Sequence, residues 1–461
     1  MNNNGNNMTT KTERQTWSSK ITYIMTVAGA TVGFGATWRF PYLVGENGGG
    51  AYVLLFCLAM ILIGIPMILV ENVIGRRLRV NSIDAFGDKL QDNNISGGWK
   101  IIGYMGLLGA FGIMAYYMVL GGWVMNYIIS LISGILDIST PITKETAKEF
   151  YDFSIGNSPL HIALYTFIFV IINYIILAKG IIGGIERAVK FLMPLLFVFL
   201  IGMVIRNVTL PGAMDGIIYY LKPDFSKITP KLFIMVLGQV FFALSLGFGV
   251  LITLSSYLSK EENLIQTAVI TGFTNTIIAI LAGFMIFPSL FSFGIEPNAG
   301  PTLVFQSLPI VFSHLWSGTF FAIVFFSLLL IAALTTSITI YEVIITALQE
   351  KLKMRRSKAI LLTLGGIFLL GNIPSILGDN LWKDFRPFDK SIFDAFDFIS
   401  GNILFLLTAL GCAVFVGFVL KDKAKAELSP TPDSLFTTVW FNYVKFVVPL
   451  IIIVIFVSNI I

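Results

Sequence analysis

The sequence predicts an all-α polytopic membrane protein, and two observations lead to that fold class. Hydrophobic residues make up 56% of the 461 residues, whereas charged residues make up only 12%. About a quarter of the residues of a soluble domain are charged, and a lipid-facing surface excludes such residues. Apolar runs of about 20 residues, which suffice to cross a bilayer as helices, recur along the whole chain. The composition therefore argues against a large soluble enzyme.

Eleven apolar segments are long enough to cross a membrane, and we number them spans 1 to 11. Their predicted bounds are 17–44, 51–77, 100–133, 160–178, 187–208, 231–258, 263–292, 317–350, 358–377, 394–420 and 435–460. The loops between spans 3 and 4 and between spans 7 and 8 are long for a compact bundle. The second of these loops is rich in proline and glycine, which indicates a folded cap with short helices.

The distribution of basic residues predicts how the spans are oriented. Three arginines follow span 2, and five lysines and arginines between residues 351 and 358 follow span 8. Positive charge is enriched in cytoplasmic loops, so residues 1–16 are expected to form a cytoplasmic tail in a protein of the inner (cytoplasmic) membrane. With eleven spans, the C-terminal end is expected outside the cell. The tail lacks the apolar stretch of a signal peptide.

Spans 1 and 6 each contain a pair of glycines near the middle. The segment Val32-Gly33-Phe34-Gly35 of span 1 reappears in span 6 as Leu246-Gly247-Phe248-Gly249. Each glycine costs a helix about 1 kcal/mol relative to alanine. One explanation is close helix packing through small residues, and the other is a pair of discontinuous helices around a binding site. We favour discontinuous helices, because both halves of the chain carry the motif. At such breaks, the free amide N–H groups would suit an anion and the free carbonyls would suit a cation.

Motifs from residue 14 to the end of the chain resemble the neurotransmitter:sodium symporter family. They are Trp38-Arg39-Phe40-Pro41, Glu46-Asn47-Gly48-Gly49-Gly50-Ala51, Gly64-Ile65-Pro66, Glu71 with Gly75-Arg76, and Ser245-Leu246-Gly247-Phe248-Gly249. The resemblance implies the LeuT fold, with inverted five-helix repeats at 17–208 and 209–420 and one extra helix within 421–461. It also implies a sodium-coupled symporter that works by alternating access and is not an enzyme. A non-transporting sensor or channel-like protein of the same fold is the alternative.

The resemblance implies a substrate site built from spans 1, 3, 6 and 8. Its residues are Ala30, Gly33, Gly35, Ile113, Tyr117, Phe242, Ser245, Phe248, Thr336 and Ile340. Monoamine transporters of the family carry an aspartate at the position of Gly33, so the glycine favours a substrate with its own carboxylate. None of these side chains is charged, and a charged substrate side chain would be left unpaired. We therefore expect a neutral amino acid as the small-molecule substrate.

Sodium is the ion that the resemblance implies. One site is implied by the carbonyls of Gly29, Val32 and Ala332 and the hydroxyls of Thr335 and Thr336. In an isolated helix, these hydroxyls would instead bond back to carbonyls of the preceding turn.

A second sodium site, at Thr31 and Asn275, is weakened, because Ala36 and Ala243 replace an asparagine and a threonine of the family. Ala279 and Phe56 likewise depart from the residues of the family's chloride site. We therefore expect transport coupled to one sodium ion without chloride.

Two groups of residues resemble the gates of the family. The extracellular gate is Arg39, Asp397 and Asp394, and the intracellular gate is Arg14, Trp17, Tyr257 and Glu350.

Two further intramembrane acids, Glu71 and Glu342, are either structural hydrogen-bonding groups or proton carriers. Cys57 and Cys412 are too few for a disulfide framework. We expect membrane lipid as a partner. Neither nucleic-acid binding nor an obligate protein partner is expected.

Overall fold

The computed structural model describes residues 16–87, 95–297, 303–378 and 381–460, and within these ranges it is helical without any β-strand. Nine long apolar helices in these ranges can cross a membrane by length and composition. They are Gly50–Leu78, Gly97–Ser133, Pro159–Ala178, Ile181–Val208, Leu264–Ser292, Gly318–Lys351, Arg356–Leu377, Ile392–Leu420 and Leu435–Asn459. These helices are spans 2 to 5 and 7 to 11. The predicted start of span 5, at 187, is wrong, because a π-helical turn over Ile181–Glu186 extends the helix.

Span 1 consists of two short helical pieces. An α-helix runs over Lys20–Thr31 and begins at Ser19, whose side chain accepts a hydrogen bond from the Thr22 amide. The helix ends at Val32, and the chain continues as a π-helical turn over Gly35–Arg39 and an α-helix over Phe40–Glu46. The predicted break at the glycine pair of span 1 is therefore present.

Span 6 is broken over a longer stretch than span 1. Its first helix is Pro230–Ala243, its second is Val250–Ser255, and residues 244–249 between them are not helical. Gly247 and Gly249 have positive φ angles of 83° and 75°, a backbone conformation that glycine adopts without steric cost. The two glycines thus take two of the three left-handed positions in this break, and Ser245, with a φ of 52°, takes the third.

The broken spans lie inside a shell of continuous helices. Span 8 packs along span 3, and the first piece of span 1 contacts spans 7 and 8. The second piece of span 6 contacts spans 2 and 8. Spans 4, 5 and 11 expose most of their apolar residues, as lipid-facing helices do. The interior of the bundle therefore surrounds the two breaks.

Short helices connect several of the spans. Lys144–Tyr151 lies between spans 3 and 4, and Ala213–Leu221 packs on span 7. The predicted cap between spans 7 and 8 contains the helix Ser307–Ser313. Another short helix, Asp422–Leu428, precedes span 11.

Candidate functional site

A small cavity lies where spans 1 and 6 are broken. Its volume, measured as the space open to the centre of a water molecule, is about 20 Å³, and it is lined by Thr31, Gly33, Gly35, Ile113, Tyr117, Phe242, Ser245, Phe248, Thr336 and Ile340. Apart from Thr31, all of these residues belong to the substrate site that the family resemblance implies. Ala30, the remaining member of that set, does not line the cavity; its carbonyl accepts a hydrogen bond from Ser245 Oγ at 3.2 Å.

The two glycines of span 1 allow other spans to approach its backbone closely. A Cβ atom on Gly33 would lie 2.5 Å from both Thr336 Oγ1 and Tyr117 Oη. A Cβ atom on Gly35 would lie 3.0 Å from the ring of Phe242. The cavity therefore has no room for a side chain at position 33, and an amine-pairing aspartate would not fit there without rearrangement.

Side chains from three other spans cover the carbonyls at the break of span 1. Thr336 Oγ1 donates to the Gly29 carbonyl at 2.9 Å, and Asn275 Nδ2 donates to the Thr31 carbonyl at 2.9 Å. Together with the bond from Ser245, these contacts satisfy carbonyls whose helical partners are lost where the helix ends.

The break of span 6 is held in a similar way. Asn275 Nδ2 also donates to the Ala243 carbonyl, at 3.2 Å, and Glu71 accepts the amide N–H of Gly247 at 2.7 Å. Glu71 is fully buried. Its role in this structure is that of a hydrogen-bond acceptor for the unwound backbone.

The residues of the first implied sodium site are close together where spans 1 and 8 meet. Thr336 bonds across to Gly29, whereas Thr335 Oγ1 bonds back to the Ala332 carbonyl at 3.1 Å. The hydroxyl back-bonding expected of an isolated helix is thus seen for Thr335 but not for Thr336. A Cβ atom on Gly29 would lie 3.1 Å from Cβ of Thr335, so the two helices touch here. These buried carbonyl and hydroxyl oxygens are hard donors that suit a hard cation.

The predicted extracellular gate is not closed by a direct ion pair. Within the described residues, Arg39 forms no ion pair with Asp397, and its guanidinium lies 4.2 Å from the centre of the Phe242 ring. Asp397 accepts a hydrogen bond from Tyr116 Oη at 2.6 Å. Asp394 lies at the start of span 10, where its carboxylate accepts a hydrogen bond from a serine hydroxyl. The acceptor that Arg39 was expected to use is therefore engaged by a tyrosine, and the guanidinium instead covers the aromatic side of the cavity.

The predicted intracellular gate is partly assembled. The Trp17 amide donates to the Tyr257 carbonyl at 3.3 Å, and the two rings meet edge to face with centroids 6.1 Å apart. Glu350 accepts two hydrogen bonds from Asn81, at 2.8 and 2.9 Å. Arg14 lies outside the described residues.

Sequence reasoning missed two side chains near the site and one at the contact between spans 8 and 9. Gln239 Nε2 donates to the Gly35 carbonyl at 2.7 Å, and Tyr116 binds the gate acid Asp397. Arg356 forms a two-point ion pair with the buried Glu342, at 2.7 and 2.9 Å. Gln239 could have been found as a lone amide in an apolar span. The partners of Tyr116 and Arg356 depend on which spans are neighbours, which the sequence alone does not specify.

The fold and the two facing breaks define a membrane transporter with discontinuous helices. The chain belongs to the Sodium:neurotransmitter symporter family, which it matches over residues 14–150 and 146–461. It is therefore a sodium-dependent transporter of this family and not an enzyme.

Individual relatives agree with this assignment. A sodium-dependent transporter of Haemophilus influenzae is 83% identical over 98% of this chain and 99% of its own length. The sodium-dependent serotonin transporter of Drosophila melanogaster is 31% identical over 78% of this chain and 64% of its own length. The crystal structure of MhsT in complex with L-phenylalanine superimposes with a TM-score of 0.87 and 36% identity, covering 97% of this chain and 100% of that one.

Proposed function

We propose that the protein imports a neutral amino acid together with one sodium ion and without chloride. The observation that carries this proposal is the uncharged lining of the cavity at the paired breaks. Because none of the described residues that line the cavity carries an ionised side chain, a substrate with a charged side chain would lose its hydration without compensation. A zwitterion can instead place its charged groups against the broken helix ends.

The substrate carboxylate would lie next to the break of span 1. There the Tyr117 hydroxyl and the amides near Gly33 and Gly35 can donate to it, in the manner of anion sites at helix N-termini. The ammonium group would face the carbonyls of Ala30, Phe242 and Ser245. Both ends of the amino acid would thus be recognised mainly by backbone groups.

The substrate side chain would lie among apolar residues. Ile113, Phe242, Phe248 and Ile340 supply most of the apolar lining. MhsT, the structural relative, is described with L-phenylalanine bound. An apolar side chain, aromatic or branched, is accordingly the best match to this lining.

Sodium would bind at the contact between spans 1 and 8, held by the oxygens of Gly29, Val32, Ala332, Thr335 and Thr336. Binding there would hold the first piece of span 1 against span 8. Since the neighbouring carbonyl of Ala30 belongs to the substrate site, sodium and substrate would order the same broken segment. Shared ordering of one segment is a direct physical basis for coupling the two ligands.

Chloride independence is proposed from the apolar side chains at the positions of the family's chloride site. Phe56 and Ala279 are both buried, and their side chains offer no hydrogen-bond donor. A desolvated anion needs several donors to replace its hydration shell.

The gates are proposed to act on opposite sides of an inner membrane. With the N-terminal tail in the cytoplasm, Arg39, Asp394 and Asp397 would control access from outside. Trp17, Tyr257 and Glu350, together with Arg14, would control access from inside.

Uptake by proteoliposomes tests the proposal. The purified protein is reconstituted, an inward sodium gradient is imposed, and uptake of radiolabelled L-phenylalanine, L-leucine, L-glutamate, L-lysine and phenethylamine is compared. We expect sodium-dependent uptake of a neutral amino acid, unchanged when gluconate replaces chloride, and no uptake of the amine. Binding of a neutral amino acid without any uptake would instead support the sensor alternative, and preferred uptake of the amine would contradict the substrate class.

A further inference from the structure

Asn275 of span 7 connects the two broken helices. Its Nδ2 atom lies 2.9 Å from the Thr31 carbonyl of span 1 and 3.2 Å from the Ala243 carbonyl of span 6. A side-chain amide nitrogen carries two hydrogens. Asn275 therefore uses both of them, one on each broken span, and it is fully buried while doing so.

The carbonyl oxygen of the same side chain is left without a partner. Asn275 Oδ1 is buried and accepts no hydrogen bond among the described residues. An unpaired buried acceptor is unfavourable. The amide therefore keeps this orientation because of the two hydrogen bonds that its nitrogen donates. With the amide turned over, Oδ1 would face the carbonyls of Thr31 and Ala243, and three oxygens would meet with no hydrogen between them. Such an arrangement is stable only around a cation.

The surroundings of Asn275 provide few other ligands for a cation. Ala36 and Ala243 present methyl groups and are buried. The hydroxyl of Thr31 donates to the Ala28 carbonyl at 3.1 Å and is thereby held against its own helix. A sodium ion at this position would thus have backbone carbonyls and one amide oxygen as its protein ligands, too few to replace the hydration of a hard cation.

We propose that the amide N–H groups of Asn275 take the place of a second sodium ion, so that this residue is a donor that links spans 1 and 6 and not an ion ligand. The proposal deepens the one-sodium symport proposed above and rests on it. The expectation that Asn275 is the surviving ligand of a weakened site is thereby reversed. The link is present whether or not sodium is bound, so only the site between spans 1 and 8 responds to the sodium gradient.

The test is the number of sodium ions bound per chain, measured with ²²Na⁺ at saturation on the purified full-length protein in nanodiscs. Asn275→Asp keeps the shape of the side chain but replaces the donor with a carboxylate, whose negative charge beside two carbonyls at helix ends favours a bound cation. We expect one sodium ion for the wild type and two for Asn275→Asp. The double variant Ala36→Asn with Ala243→Thr, which supplies two side-chain oxygens, is also expected to bind two.

Asn372 of span 9 offers a matched control. It is buried, its Nδ2 donates to the carbonyls of Met114 and Ala115 at 2.8 Å each, and its Oδ1 also lacks a partner among the described residues. This asparagine links spans 9 and 3, away from the two breaks. Unlike Thr31 and Ala243, which lie at helix ends, Met114 and Ala115 lie within the continuous helix of span 3, where their carbonyls also accept helix amides. A carboxylate beside such carbonyls takes up a proton instead of a cation, so Asn372→Asp is expected to bind one sodium ion, as the wild type does.

The outcomes separate this inference from the proposed function. One sodium ion in the wild type, in Asn275→Asp and in the double variant would refute the role of Asn275 alone. Two ions in the wild type and one in Asn275→Ala would show that the residue is an ion ligand. If Asn275→Asp does not fold, the other two variants still test the inference. It requires one bound sodium ion in Asn275→Ala and two in the double variant. No sodium binding by the wild type would refute the proposed function and the inference with it.

Discussion

Gly33 is the residue at which the cavity tolerates the least change. A methyl group there would lie 2.5 Å from oxygens of Thr336 and Tyr117, a separation that real Cβ atoms do not show. We predict that Gly33→Ala reduces neutral amino-acid uptake at least tenfold, because the methyl group fills the floor of the cavity. The control is Gly238→Ala in span 6, where a Cβ atom would have nothing within 4 Å. Comparable losses in the two variants would contradict the assignment of the cavity.

The sequence was a better guide to which residues line the cavity than to the contacts that their side chains make. The resemblance supplied the residues that line the cavity, apart from Thr31. It did not reveal that Arg39 lies over Phe242 or that Tyr116 donates a hydrogen bond to Asp397. Side-chain partners of this kind depend on rotamers and on neighbouring helices, and neither leaves a signal in the spacing of residues along the chain.

The hydrogen bond that Thr336 donates to the Gly29 carbonyl links span 8 directly to the break of span 1. We predict that Thr336→Ala lowers the apparent sodium affinity of transport at least tenfold, because it removes an oxygen from the proposed sodium site. Thr339→Ala is the control, since Thr339 Oγ1 bonds back to the Thr336 carbonyl at 2.7 Å within the same helix. The measurement is the sodium concentration that gives half-maximal uptake. An unchanged value in Thr336→Ala would argue against this site.

An ion pair between Glu342 and Arg356 joins spans 8 and 9. The Glu342 side chain is only 1% exposed, and Arg356 contacts both carboxylate oxygens. Removing one partner of a buried pair costs about 3–5 kcal/mol, because the other charge is left uncompensated. We therefore predict that Arg356→Met lowers the midpoint of thermal unfolding strongly, and that the double variant Glu342→Gln with Arg356→Met recovers most of the loss. If the double variant is no more stable than the single one, the pair is not what stabilises this contact.

The breaks in spans 1 and 6 were predictable, whereas their lengths were not. The repeated glycine pairs locate both interruptions, but residues 244–249 are all non-helical in span 6 while the chain resumes its helix soon after Val32 in span 1. The difference arises because Gly247 and Gly249 adopt left-handed backbone conformations, which Gly33 and Gly35 do not. The division into inverted repeats at 17–208 and 209–420 stays a prediction.

For the whole molecule, Asp84 connects three distant parts of the chain outside the membrane-spanning helices. It accepts hydrogen bonds from Lys100 at 2.8 Å and Lys351 at 2.9 Å, near the ends of spans 3 and 8. Burial alone would raise the pKa of Asp84, but the hydrogen bonds from Lys100, Asn81 and Lys351 outweigh it and hold the pKa well below its usual range. The resulting stabilisation is present above the pKa of an unfolded aspartate, about 3.9, and is lost as the pH falls towards the folded pKa.

We therefore predict that Asp84→Asn lowers the thermal unfolding midpoint at pH 7, and that its difference from the wild type narrows below about pH 4. The exposed Asp433 provides a control, because Asp433→Asn is expected to leave the midpoint nearly unchanged at both pH values. A difference that is the same at pH 7 and at pH 3.5 would mean that Asp84 acts through packing and not through its charge.

The number of coupled sodium ions determines how far the whole transporter can concentrate its substrate. A tenfold sodium gradient supplies about 1.4 kcal/mol per ion, and a potential of about −60 mV supplies about 1.4 kcal/mol for each positive charge moved inward. A zwitterionic substrate adds no net charge, so one sodium ion supplies about 2.8 kcal/mol, enough for accumulation of about 100-fold. Two ions would supply about twice that energy and allow about 10,000-fold. We predict the lower limit, measured as the internal substrate concentration at which net flux in proteoliposomes reverses under both gradients. Net uptake that continues well beyond 100-fold would refute coupling to a single sodium ion.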